Sequence, residues 1–176
     1  MEEIIKVDTT DKQIGTVEKL QAHKTPILHR AFSVFLYDGD KILLQRRADG
    51  KYHSGGLWAN SCCSHPRANK EFFDSVYDRL NFELGIKQKI KLEEVFTFTY
   101  FSKYADDLFE YEYDHVLLGE FKEQEVAFNE EEIACVKWWS IDELEQQMVL
   151  QPQNFATWFL ICAPKVIAKI KEKTHF

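Results

Sequence analysis

The chain has 176 residues and a formal net charge of -7, and 45% of its residues are hydrophobic and 14% aromatic. This composition excludes a disordered or fibrous chain, and the length predicts one globular domain, residues 1–176. Because the net charge is negative, nucleic acid and anionic membranes meet no general positive field, so an anionic ligand would need local basic side chains or a metal.

The apolar segments, the amino terminus and the cysteines indicate the compartment and the redox state of the thiols. No segment is apolar for the length that a membrane span requires, and MEEIIKVDTTDKQ at the amino terminus lacks the basic start and apolar core of a signal peptide. Cys62 and Cys63 are neighbours, while Cys135 and Cys162 stand alone, which is neither a disulfide framework nor a zinc knuckle. We expect a cytoplasmic protein with free thiols.

The first half of the chain predicts a hairpin and a helix. AFSVFLYDGDKILLQRR is typical of two apolar strands joined by a turn at Asp38 and Gly39. After the motif NSCCSHPR, residues 60–67, the stretch NKEFFDSVYDRLNFELGI has helical spacing, with Asn69 as its N-cap and Gly85 as its stop. Arg79 and Glu83 are four apart and therefore share a face of this helix.

The second half predicts three more strands and two helices. KLEEVFTFTYFS and LFEYEYDHVLLGEF are typical of strands joined by KYADD, and alternation places Glu110, Glu112 and Asp114 on one face. A strand in IACVKWW precedes a helix capped by Ser140, and NFATWFLICAPKVIAKIKEK predicts a helix that Pro164 breaks or kinks. The fold class is therefore α+β, with a mixed or largely antiparallel sheet between helices.

Histidines and glutamates are the candidate metal ligands. Taken singly, each histidine is typical of a surface or core-edge residue, and His53 and His115 are interpreted in that way. A Glu-x-Glu pair likewise favours a solvated strand face. Three imidazoles and two carboxylates in one place would instead suit an octahedral divalent ion. Those candidates are His23, His29, His65, Glu110 and Glu112.

Thiols, basic residues and tryptophan leave alternatives open. Cys63 is either a buried apolar residue or a reactive thiol, and at most one of Cys62 and Cys63 lines a site, since neighbours in an extended strand point in opposite directions. Basic side chains after the hairpin are either surface charges or phosphate ligands. Those side chains are Arg46, Arg47 and Lys51. Trp158 is either core or a ring that stabilises a passing cation.

Several segments, in order, resemble the type 1 isopentenyl diphosphate isomerases. They are AHKTPILHRAFS, RRADGKYHSGGLWANSCCSHP, FELGI, FTYFS, EYEYDHVL and ATWFL, and they run from His23 to Trp158. The resemblance implies a Nudix fold and the conversion of isopentenyl diphosphate to dimethylallyl diphosphate in isoprenoid biosynthesis. This is a 1,3-allylic proton shift through a tertiary carbocation, performed by two acid/base groups on a small diphosphate substrate. It needs no nucleic-acid or membrane partner, and we expect a monomer or weak dimer.

The resemblance also implies the roles of individual residues. The ligands of a manganese, zinc or magnesium ion would be His23, His29, His65, Glu110 and Glu112. A second ion, Mg²⁺, would bridge Glu83 and the carbonyl of Cys63 to the diphosphate, which Arg47, Lys51 and Arg79 would also meet. The catalytic residues would be Cys63, Glu112 and Tyr100. Glu112, bonded to Tyr100, would deliver the proton, Cys63 as thiolate would remove the allylic one, and Trp158 would stabilise the cation.

Two alternatives remain. A Nudix hydrolase would cleave a nucleoside diphosphate derivative, but Asp78, Arg79 and Phe82 stand where its helix would carry Arg, Glu and Glu. Without tandem carboxylates, hydrolysis is disfavoured. The other alternative is a non-catalytic metal-binding protein in which Cys63 is structural.

Overall fold

The computed structural model describes residues 2–174, which form one nine-stranded sheet with α-helices packed on both faces. The strands are β1 (Glu3–Val7), β2 (Gln13–Glu18), β3 (His29–Asp38), β4 (Lys41–Arg47), β5 (Trp58–Ala59), β6 (Cys62–Ser64), β7 (Leu92–Lys103), β8 (Phe109–Glu120) and β9 (Ile133–Ser140). The α-helices are α1 (Lys19–Lys24), α2 (Phe72–Leu84), α3 (Ile141–Leu150) and α4 (Thr157–Thr174). None of these helices has the length and hydrophobicity to cross a bilayer.

Strand β3 organises the sheet, and its separation from β4 opens the sheet. β3 runs parallel to β8 over nine residue pairs and antiparallel to the short β6. It pairs with β4 only near their turn, from Leu36 opposite Leu43 to Asp38 opposite Lys41. Beyond that point β4 continues with β9 and β5 instead. The sheet therefore divides at its centre, and β3 and β4 separate there.

Both faces of the sheet are covered, so β3 is apolar on both sides. Phe35 belongs to the core under α3 and α4, whereas Val34 and Leu36 belong to the core under α2. The adjacent cysteines divide in the same way: Cys62 is packed in the α2 core, and Cys63 lies against the α4 core. The predicted mixed sheet between helices is thus confirmed, and alternation along short strands decides which thiol faces which layer.

Local signals in the sequence are largely confirmed. Gly39 takes a positive φ of 57° in the hairpin turn, and Gly85 ends α2 in the left-handed conformation with a φ of 65°. Ser140 caps α3, since its Oγ accepts from the N–H of Glu143 at 3.2 Å. The N-cap prediction for Asn69 is wrong, because residues 67–70 form a turn and the helix begins after Glu71.

Two further features differ from the sequence prediction. The sequence predicted that Pro164 breaks or kinks the last helix, and α4 continues through Pro164 without a break. Its buried residues lie on both sides of the proline, among them Phe159 and Val166, and packing against the sheet outweighs the lost hydrogen bond. The sequence also gave no sign of β1, β2 and α1, whose residues are mixed in charge and partly exposed.

Candidate active site

A cavity of about 230 Å³ occupies the region where the sheet divides. Its walls come from β4, β6, β8, α2, α4 and the loop after β4. Two groups of polar side chains lie in its wall or directly beside it. We call the first the imidazole cluster; its members are His23, His29, His53, His65, Glu110 and Glu112. We call the second the cationic cluster; its members are Arg47, Lys51, Arg79, Glu83 and Glu132.

Sheet register assembles the imidazole cluster. His29 begins β3 directly opposite Glu112 of β8, His65 follows β6, and His23 lies in the last turn of α1. All four side chains are buried, and one ligand atom from each lies within 4.8 Å of the others. Nε2 of His65 is 2.9 Å from Oε1 of Glu112 and 3.2 Å from Nε2 of His29. The structure therefore brings these four predicted ligands together.

Backbone carbonyls orient two of the rings. Nδ1 of His23 is 2.6 Å from the carbonyl oxygen of Lys19, and Nδ1 of His29 is 2.7 Å from that of Ile27. A ring that donates from Nδ1 presents the lone pair of Nε2 to the interior of the cluster, as metal-ligating histidines do. Nε2 of His29 and Nε2 of His65 lie 3.2 Å apart beside Glu112, and in the tautomers protonated on Nδ1 both rings offer a lone pair there, so the donor set fits a divalent ion.

Electrostatics favour the ligating forms of two rings and of the carboxylate. Burial lowers the pKa of His23, and it lowers the pKa of His65 to about 3, so both rings are neutral at pH 7. Burial opposes ionisation of Glu112, but hydrogen bonds from His29 and His65 outweigh it and hold the pKa of Glu112 well below its usual range. Glu112 is therefore a carboxylate, the form that ligates a metal.

The other carboxylate, Glu110, has different partners. Its Oε1 lies 2.8 Å from Nε2 of His53, and its Oε2 accepts from the hydroxyl groups of Tyr100 at 2.5 Å and Tyr104 at 3.0 Å. The Tyr100 hydroxyl is also 2.9 Å from Oε2 of Glu112 and so connects the two carboxylates. His53 lies inside the cluster, contrary to its interpretation as a surface or core-edge residue. The sequence did not indicate this, because His53 is a single histidine without a spacing pattern typical of metal ligands.

Cys63 and Trp158 form the apolar part of the wall. Cys63 lines the cavity from β6, while Cys62 is fully buried in the α2 core, as alternation predicts. Burial raises the pKa of Cys63, so the thiol keeps its proton, in contrast to the thiolate assigned from the sequence. Trp158 is 3% exposed, donates from Nε1 to Oδ1 of Asn60 at 3.0 Å, and lies under the guanidinium of Arg47 at 5.2 Å.

The cationic cluster gathers the predicted diphosphate ligands. Arg79 pairs with Glu83 one turn along α2, as predicted, and lies 3.3 Å from Glu132. Lys51 pairs with the same Glu132 carboxylate. Glu83 also accepts from Nε2 of Gln45 at 2.9 Å. Sequence reasoning missed Glu132, which stands before β9 in a run of three glutamates that is typical of a solvated surface.

Strand β8 carries one more buried acid that sequence reasoning did not select for the site. Asp114 lines the cavity and accepts from Oγ of Ser33 at 2.8 Å. Burial, reinforced by the nearby Glu112, raises the pKa of Asp114 well above its usual range. Its neighbour His115 points to the other face, where it contacts Asp11 and Glu94 at 2.9 and 2.7 Å, in agreement with its ordinary interpretation.

Comparison with known proteins places this fold and site in one class. The NUDIX domain family matches residues 27–159. A crystal structure from Deinococcus radiodurans shares the fold, with a TM-score of 0.69 at 15% identity over 85% of this chain and 90% of that one. This chain, with its divided mixed sheet and polar cavity, therefore has the Nudix fold.

Closer relatives narrow the class. A protein of Aromatoleum aromaticum named Isopentenyl-diphosphate Delta-isomerase 2 is 40% identical over 95% of this chain and 87% of its own length. A protein of Photobacterium profundum named Isopentenyl-diphosphate Delta-isomerase is 41% identical over 90% of each chain. This chain belongs to the isopentenyl-diphosphate Delta-isomerase family within the Nudix fold.

Proposed function

We propose that the protein converts isopentenyl diphosphate to dimethylallyl diphosphate by moving the double bond. The observation that carries this proposal is the shared cavity of Cys63, Glu112 and Trp158: a thiol, a carboxylate and an aromatic wall around a small space. The names of the relatives, at about 40% identity over most of both chains, support the same reaction. The fold alone would not, since Nudix architecture carries several chemistries.

The reaction needs one proton donor and one proton acceptor. A proton is added to the terminal alkene carbon, a tertiary cation forms, and a different proton leaves the allylic carbon, so the substrate gains and loses one proton each. The resting cavity offers a protonated thiol at Cys63 and an ionised carboxylate at Glu112. We propose that one of these two groups donates a proton to the substrate and the other accepts a proton from it. The Tyr100 hydroxyl is proposed to orient Glu112. The two groups change roles when the reaction runs in reverse.

Trp158 is proposed to stabilise the cation. An aromatic face stabilises a desolvated cation by about 2 kcal/mol. Because Trp158 and Cys63 belong to or pack against the apolar core under α4, this part of the cavity also keeps water from the cation. The indole is fixed by its bond to Asn60, so its ring does not need to be ordered when substrate binds.

The metal ions and the diphosphate are assigned by charge. Nudix proteins use divalent metals, and the His and Glu groups of this chain fit one. We propose manganese, zinc or magnesium at His23, His29, His65, Glu110 and Glu112, where its positive charge compensates the buried carboxylates. We further propose that Arg47, Lys51 and Arg79 hold the diphosphate, and that Glu83 and the Cys63 carbonyl hold the Mg²⁺ that accompanies it.

Compartment, oligomeric state and partners complete the proposed function. We propose that the protein acts in the cytoplasm, as a monomer or weak dimer, on a small diphosphate and without a nucleic-acid or membrane partner. The net charge of -7 supports the last of these points, because it offers nucleic acid and anionic membranes no general positive field.

Hydrolysis of a nucleoside diphosphate derivative fits the site less well. In α2 only Glu83 occupies a position where the hydrolases carry a metal-binding glutamate, and the guanidinium of Arg79 is paired with it. Phe82, half exposed, stands at another such position. The helix therefore offers one carboxylate where hydrolysis by the usual route needs several.

The test is an assay of isopentenyl diphosphate with the protein and Mg²⁺, with product measured by its acid lability and with phosphate release measured in parallel. Wild type should give the allylic product without phosphate. Cys63→Ala and Glu112→Gln should each lose about 10²- to 10⁴-fold in rate, the usual contribution of an acid/base group. Cys62→Ala is the matched control, because the neighbouring thiol faces the other core, and it should stay near wild type. A folded, metal-loaded wild type that makes no product, or that releases phosphate, would refute the proposal.

A further inference from the structure

His53 is the buried imidazole in this cavity to which neither the family resemblance nor the proposed mechanism gives a role. Its side chain is 3% exposed, and its Nε2 approaches Oε1 of Glu110 at 2.8 Å. The opposite ring nitrogen, Nδ1, is 3.2 Å from Oγ of Ser54. The ring packs between two phenols, with centroid distances of 4.5 Å to both Tyr52 and Tyr104. Such packing holds Nε2 toward the cluster and allows no easy alternative rotamer.

A second group of converging ligand atoms includes this ring. One ligand atom each from His23, His53 and Glu110 lies within 4.8 Å of the others. His23 therefore belongs both to this group and to the group of His29, His65 and Glu112. Because Nδ1 of His23 is taken by the Lys19 carbonyl, its Nε2 serves a single ion. The two groups share His23, but their ligand atoms do not all lie within 4.8 Å of one another, so a single ion would hold both groups by drawing His53 and Glu110 toward the other four residues.

The geometry points to His53 as a further ligand of the ion in the imidazole cluster. We infer that the centre has four imidazoles, from His23, His29, His53 and His65, together with the carboxylates of Glu110 and Glu112. A hydrogen bond to Glu110 alone would need only two atoms and would not explain why the His23 ring also converges on them. The phenols of Tyr100 and Tyr104 contact Oε2 of Glu110, so the oxygen that faces His53 is Oε1, which has no contact with either phenol.

The consequence is a change in metal preference. Four nitrogen donors and two oxygen donors favour Zn²⁺, Co²⁺ or Ni²⁺ over Mg²⁺, which prefers oxygen ligands. The centre would also keep less space for water in its first coordination sphere than a centre with three imidazoles. This inference rests on the proposed function only in placing a divalent ion at the cluster.

The experiment compares Co²⁺ binding to the metal-free full chain in wild type and His53→Gln. Visible absorption gives the affinity, and X-ray absorption of the Co²⁺ protein gives the number of imidazole ligands. Glutamine keeps an N–H donor for Glu110 but is a poor ligand for Co²⁺, so it preserves a hydrogen-bonding role and removes a ligating one. We expect an affinity about 10-fold or more lower, since loss of even a partner of a metal ligand costs about 10- to 100-fold, and one imidazole fewer.

Controls separate this inference from the proposed function. His115→Gln changes a histidine outside the cavity and should bind Co²⁺ like wild type, while His65→Ala should lose the ion. Loss in His65→Ala with unchanged affinity and imidazole count in His53→Gln would overturn the role of His53 and leave the proposed function intact. Absence of binding in wild type would overturn both the role of His53 and the proposed metal site, while the isopentenyl diphosphate assay decides the proposed reaction separately. His53→Asn, with circular dichroism of each metal-free variant, provides a second folded test of the same ligand.

Discussion

The two clusters of the cavity have opposite electrostatic requirements. The imidazole cluster holds two buried carboxylates beside the neutral rings of His23 and His65, so it favours binding of a cation. The cationic cluster has Arg47, Lys51 and Arg79 against the carboxylates of Glu83 and Glu132, so it can accept an anion. A net charge of -7 therefore does not describe the site. The fold places a cluster that favours a cation next to a cluster that can accept an anion.

The largest expected effect comes from removing a ligand of the imidazole cluster. His29→Ala should lose the bound ion, and isomerisation should fall by about 100-fold or more. Inorganic pyrophosphate binding with Mg²⁺ should stay within about twofold of wild type, because it depends on the other cluster. Metal analysis, the isomerase assay and calorimetry measure these three quantities, and His115→Ala is the control. Parallel loss of pyrophosphate binding in a folded variant would show that the clusters are not separable.

An intermediate effect is expected from the cationic cluster. Arg79→Gln removes a guanidinium, and a hydrogen bond to a charged group contributes about 1.5–3 kcal/mol. Pyrophosphate affinity should therefore fall by about 10- to 100-fold, and KM for isopentenyl diphosphate should rise accordingly. The content of metal in the imidazole cluster should not change. Lys87→Gln, a change in the loop after α2, is the control for loss of one positive charge; equal weakening in both variants would mean that only net charge matters.

The smallest effect concerns Glu132, which competes with an anion for Lys51 and Arg79. Glu132→Gln should raise pyrophosphate affinity a few-fold while lowering the free energy of unfolding at pH 7 by less than about 1 kcal/mol, as for a partly exposed ion pair. Burial raises the pKa of Glu132, but Lys51 and Arg79 outweigh it and hold the pKa below its ordinary value of 4.5. The carboxylate therefore stabilises the fold above pH 4.5, and this contribution disappears as pH falls below it.

Urea unfolding of wild type and Glu132→Gln between pH 7 and pH 3 measures this contribution. The two stability curves should converge in acid. A difference that persists at low pH would assign the stabilisation to packing of the side chain and not to its charge. Unchanged pyrophosphate affinity would show that breaking the ion pairs of Glu132 with Lys51 and Arg79 costs no free energy when the anion binds.

The fold was predictable where local signals and tertiary packing agree. The hairpin at Asp38 and Gly39, the end of α2 at Gly85 and the cap at Ser140 follow from single residues with specific conformational preferences. β1, β2 and α1 were not predictable, because their residues have neither a clear period nor an apolar run and depend on contacts with the sheet. The sequence left open whether Pro164 breaks or kinks the last helix, and the packing of α4 decides that the helix continues.

The candidate site was predictable in part. Ordered motifs indicated three imidazoles, two carboxylates, a thiol and the basic residues. The structure places most of them in the lining of one cavity, with His23 and His29 beside it in contact with the lining residues, whereas Arg46 is not part of the lining. His53, Asp114 and Glu132 were not selected, since each is a common residue type in a polar segment, without a motif of its own. Their roles depend on contacts with residues across the cavity, and those residues are distant in sequence, so a local motif does not reveal them.

By itself, the sequence determined the alternation of β8, which commits Glu110 and Glu112 to one face, and the rule that at most one of Cys62 and Cys63 lines a site. Covalent geometry fixes these, because side chains of a strand alternate whatever their surroundings. Only the tertiary structure decided that this face is buried, that His53 joins it, and that the thiol is protonated while the nearby carboxylate is not. Those properties arise from the parallel pairing of β3 with β8 and the separation of β3 from β4, contacts between distant residues whose burial and charge set each group's pKa.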